Sequence, residues 1–83
     1  MNFIWQATQL RDEELIEIEE NIVNELTTVG GLDETSIAKW TIHISEDRGS
    51  HALVGVLLDL EGDPRVRFTY SLQSPHFADY KLV

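Results

Sequence analysis

Eighty-three residues carry six Lys/Arg against fifteen Asp/Glu, a formal net charge of −9, and no cysteine. A chain this short builds one domain with a modest core, which leaves little room for a deep substrate cleft. The charge argues against direct contact with nucleic-acid phosphates or an anionic membrane, and the missing thiols exclude disulfides and thiolate metal sites.

The opening MNFIWQAT has neither the basic stretch nor the long apolar run of a signal peptide, and no segment reaches the length of a membrane span. A cytoplasmic location is therefore expected. Asn2 to Ala7 predicts a first strand, with Phe3, Trp5 and Ala7 toward the core and Asn2, Ile4 and Gln6 away from it.

The next stretch predicts a helix over residues 12–29. Leu15, Ile18, Ile22, Leu26 and Val29 recur at intervals of three and four, the helix period, with Ile16 and Val23 beside them. Thr8 or a residue near Arg11 begins it, and Asp12, Glu13 and Glu14 suit the positive end of its dipole. Gly30-Gly31 ends it, with Leu32 covering the last turn.

The other face of this helix holds Glu13, Glu14, Glu17, Glu20, Asn21, Asn24 and Glu25, with no base after Arg11. Glu13/Glu17 and Glu17/Glu20 are like-charge neighbours that cost roughly 0.2–0.5 kcal/mol each. Glu25 sits where the dipole disfavours acid. This arrangement opposes helix stability, and it reads either as a solubilising face or as an anionic docking surface. Glu19 falls toward the apolar side, where it is expected at the edge of the helix–sheet contact with its carboxylate reaching water.

Leu32 to Ser36 reads as a polar connection. Ile37 to Glu46 predicts the second strand, with Trp40, Ile42 and Ile44 inward; Asp47-Arg48-Gly49 reads as a hairpin turn with a positive φ at Gly49. His51 to Leu60 predicts the third strand. Its even positions Ala52, Val54, Val56, Leu58 and Leu60 are apolar, and Leu53 and Leu57 stand on the odd face. Such a run implies cover on both faces, or an outer face that meets a partner. Gly55 marks a bulge or a close approach. After the turn Glu61-Gly62-Asp63-Pro64, Arg65 to Leu72 predicts the fourth strand, with Val66, Phe68, Tyr70 and Leu72 inward. Phe77, Tyr80, Leu82 and Val83, beyond a proline break, suit a short strand or a cover on an open edge.

The expected fold is α+β: a single β-α-β-β-β domain with one helix packed on a mostly antiparallel four-stranded sheet, its first strand parallel to its neighbour. The core pairs Trp40, Ile42, Ile44, Val54, Val56, Val66 and Phe68 with Leu15, Ile18, Ile22 and Leu26. Lys39, His43, Arg65 and Arg67 then lie on the open sheet face around Leu53 and Leu57. That arrangement suits an interface, or long basic stems that shield an exposed sheet.

Catalytic and metal chemistry find little footing. His43 and His51 could be cross-strand neighbours, but nothing supplies a third zinc ligand, and His76 stands apart. Asp59, Glu61 and Asp63 alternate as in a calcium loop, yet the glycine is misplaced and Tyr70 stands where the final Glu belongs. Ser45 and Ser50 sit in no nucleophile elbow. No enzyme activity, cofactor or metal is expected.

Two functional readings remain. One is a stoichiometric inhibitor that sets Glu13, Glu14, Glu17, Glu20 and Glu25 against a basic partner protein, such as a nuclease or another nucleic-acid-binding protein. Glu13, Glu17 and Glu20 stand about one turn apart, roughly 5–6 Å, near the phosphate spacing of a strand. Phage inhibitors of the anti-CRISPR type and toxin-immunity proteins form the broad category. The other is a structural or adaptor domain that self-associates, as a homodimer, or joins an assembly through its open sheet face or a strand edge.

Overall fold

The computed structural model describes residues 1–6, 8–47 and 49–83. They form strand β1 (Asn2–Gln6), helix α1 (Asp12–Thr28), the one-turn helix α2 (Glu34–Ile37) and strands β2 (Thr41–Asp47), β3 (Ala52–Leu58), β4 (Pro64–Ser71) and β5 (Phe77–Leu82). The sheet runs in the order β1-β2-β3-β4-β5; β1 is parallel to β2, and every other pair is antiparallel. The expected positions of Ala7 and Arg48 fall outside the described residues.

The α+β class and the main helix match the expectation, but the sheet has five strands rather than four. The tail supplies the fifth. Its alternation is hard to read because the pairing shifts between Thr69 and Tyr70: Tyr70 faces Phe77, while Phe68 faces Tyr80. The shift sets the two inward aromatics, Phe77 and Tyr80, three positions apart instead of two. Phe77 then packs on Phe68 with ring centroids 4.8 Å apart and on Tyr80 at 5.3 Å.

Arg11 caps the start of helix α1, and its backbone N–H donates to the Glu14 carboxylate at 3.3 Å. It ends where the Leu32 N–H reaches back to the Leu26 carbonyl, 3.1 Å, across Gly31 in the left-handed region (φ 69). Ile22 and Leu26 are fully buried against Ile42, Ile44, Leu53, Leu57, Val66, Phe68 and Tyr70. Leu15 and Ile18 are half-buried, and Val29, expected on the stripe, is exposed.

The polar connection before β2 is partly helical. The Asp33 side chain accepts from the Ser36 N–H at 3.1 Å and from the Ser36 hydroxyl at 3.0 Å, capping α2. This turn drives Ile37 into the core, so Ile37 ends a helix rather than beginning a strand.

Strand β3 faces the opposite way from expectation. Leu53 and Leu57 are 0% exposed and belong to the core, whereas Val54 is 45% exposed on the other side. The cause is the rung Ile44–Gly55–Phe68. A Cβ on Gly55 would stand 2.7 Å from Phe68 Cε2, so the Phe68 ring fills the space that a side chain would take. Gly55 therefore marks a close approach on the core face, and it carries Leu53 and Leu57 inward with it.

Candidate functional site

Helical geometry sorts the α1 carboxylates into three groups. At about 100° per residue, Glu13, Glu17 and Glu20 point away from Ile22, and all three are exposed. None of them forms an ion pair among the described residues. Glu14 lies on one flank, where Arg11 Nε meets its Oε1 at 3.0 Å. That hydrogen bond, helped by the Arg11 backbone N–H, holds the Glu14 carboxyl below the usual glutamate range. Glu19 lies on the other flank and accepts a hydrogen bond from Trp5 Nε1 at 2.8 Å. It is half-buried at the helix–sheet edge, the position expected for it.

Glu25 leaves the docking face altogether. It is 7% exposed, and its Oε1 accepts from the Phe77 backbone N–H at 3.0 Å and lies 3.2 Å from His76 Nδ1. Its angular position, between Ile18 and Asn21 when viewed down the helix, is a buried one. This acid is a connection between α1 and the first residue of β5, not a surface group.

The residues expected around Leu53 and Leu57 also separate. Register puts Ile4, His43, Val56, Arg67 and Lys81 in one row on the face away from the helix, with Val54 two rungs further along. Lys39 is exposed at the end of α2, outside the strands. Arg65 sits at the pairing shift beside Leu57/Leu58, and its guanidinium carbon lies 5.7 Å from the Trp40 ring centroid. Lys81 joins this row only through the pairing of β5 with β4, which the alternation of the tail does not reveal.

His43 faces Val56, and His51 lies beyond the Asp47–Ala52 pair, so the two imidazoles are not cross-strand neighbours. His51 takes the left-handed conformation at the start of β3 (φ 50). The Ser50 hydroxyl donates to Asp47 Oδ2 at 2.9 Å. Asp59, Glu61 and Asp63 do converge, with one oxygen of each within 4.8 Å of the others. Asp59 Oδ1 already accepts from the Glu61 and Asp63 backbone N–H groups, both at 3.0 Å, as a turn of this type requires.

No helix of the described residues is long and apolar enough to cross a membrane. No family model, curated protein or solved structure matches the chain.

Proposed function

We propose that the protein is a non-enzymatic inhibitor that sets the outward spine of α1 against a basic, nucleic-acid-binding surface of another protein. The observation that carries this reading is the exposure of Glu13, Glu17 and Glu20 on one line of a single rigid helix, without a neutralising base among the described residues. A helix holds these charges at fixed spacing, so a groove lined by Lys and Arg meets them with no ordering cost for the backbone. The charge also accelerates encounter with a cationic surface.

The test is capture of nucleic-acid-binding proteins on the immobilised chain at low salt, followed by elution with duplex oligonucleotide. Partners released by the duplex, and lost when Glu13, Glu17 and Glu20 are changed to Lys, support the reading. A triple change of Glu61, Asp63 and Asp79 to Lys alters net charge equally and serves as the control. Equal capture by both triple variants sinks it.

A second reading, a self-associating or adaptor domain, draws on the exposure of Ile4 and Val54 on the open sheet face. It predicts a dimer that persists in high salt and dissociates on Val54→Asp.

A further inference from the structure

We infer that the groove between α1, β1 and α2 seats a lysine or arginine side chain of the basic partner, an inference that rests on the docking reading above. The groove has a volume of about 420 Å³, within the range of small-ligand seats. Met1, Phe3 and Val23 give it an apolar lining, and Glu19, Glu20 and Glu34 give it an acidic one.

A long basic side chain has the same two halves: a methylene stem that prefers apolar cover and a charged head that prefers carboxylates. Phe3, Val23 and Met1 are each half-buried and present partial apolar surface to the stem. The head meets acids from two elements. Glu19 is held in place by Trp5 through Oε2, and its Oε1 has no donor among the described residues. Glu20 and Glu34 are exposed, and none of the three is ion-paired among the described residues. A compact cation would leave the apolar lining unused, and an apolar ligand would strip water from the carboxylates without replacing it. Glu20 also belongs to the outward spine, so the groove continues the proposed docking face. On the other flank of α1, a groove lined by Leu10, Ile18, Leu72, Glu14 and Glu17 makes a poorer seat, because Arg11 already occupies Glu14.

The test compares hexalysine with hexa-diaminobutyric acid, whose ammonium stands on a stem two carbons shorter, at a pH where both are fully charged. Hexalysine should bind about tenfold tighter, the order expected for added methylenes covered by the groove. Amide shifts should centre on Val23, Asn24 and Thr27. Glu34→Lys should weaken hexalysine several-fold more than Glu61→Lys, which changes the net charge equally on a distant turn. Equal affinity for the two peptides, or equal effects of the two substitutions, overturns the seat. If that equal binding is still abolished by reversing Glu13, Glu17 and Glu20, the docking reading survives. Absence of binding to either peptide removes both.

Discussion

The Glu25 carboxylate, on the last turns of α1, accepts the backbone N–H of Phe77, 52 residues further along the chain, at 3.0 Å. The two ends of the fold are joined there by a charge-assisted bond in a nearly buried site. The bond satisfies a backbone donor where the chain enters β5, and it explains an acid at the end of the helix dipole that disfavours it.

Removing this acceptor should be costly. Glu25→Ala leaves the Phe77 donor without its partner, and the expected loss is about 1–3 kcal/mol. Glu25→Gln keeps an acceptor and should lose less. Urea unfolding of the two variants gives the comparison; an alanine variant as stable as wild type would mean that solvent reaches the Phe77 amide.

The tyrosines of the core give a pH dependence. Burial pushes both the Tyr70 and Tyr80 hydroxyls above the ordinary tyrosine value; at Tyr70 the hydrogen bond from Asn21 opposes that rise, and the charges of Glu25 and Glu17 add to it. A raised folded-state value means that the folded chain holds the proton more tightly. Their contribution to stability is therefore complete below the unfolded value of about 10 and disappears as pH rises through the folded values. Urea midpoints should fall above about pH 10, and Tyr70→Phe with Tyr80→Phe should flatten that fall. At neutral pH Tyr80→Phe should cost little, because the Tyr80 hydroxyl is buried with no hydrogen-bond partner among the described residues. A large neutral-pH loss would show that the hydroxyl has a partner in solution.

The helix stripe separates two isoleucines. Ile22 is 0% exposed and Ile16 is 60% exposed. Ile22→Ala should cost about 2–5 kcal/mol and Ile16→Ala under about 0.5 kcal/mol. Similar losses at the two positions would mean that α1 is rotated on the sheet.

What was legible in the sequence was what periodicity decides. An unbroken apolar repeat with a Gly-Gly stop fixes the helix to within a residue, and alternation fixes the inward faces of β2 and β4, whose outer faces are polar. Strand β5 was blurred by its pairing shift at Thr69/Tyr70. Glu25 has the residue type of a surface acid but a position beside Leu26 at the edge of the stripe, and it is the position that decides its burial. Its partner is a backbone amide, and side-chain patterning carries no mark of it.

Strand β3 is the clearest case, and it makes the last prediction. Val54, Val56 and Leu58 on one face compete with Leu53 and Leu57 on the other, so alternation alone cannot say which set is buried. A one-residue slip would exchange the two sets. The deciding residue is Gly55, which makes room for Phe68 on the core side. Leu57→Ala should therefore cost about 2–5 kcal/mol, as for a filled core site. Val54→Ala, on the open face, should cost under about 1 kcal/mol. Gly55→Ala should destabilise by about 1–3 kcal/mol, because the new methyl displaces the Phe68 ring. Pairing Gly55→Ala with Phe68→Leu should recover part of that loss, since the smaller side chain vacates the contact. Chemical denaturation of the four variants decides the matter. Should Val54→Ala prove the more damaging of the two large-to-small changes, β3 would have the opposite facing, and the open sheet face would again present Leu53 and Leu57 to solvent.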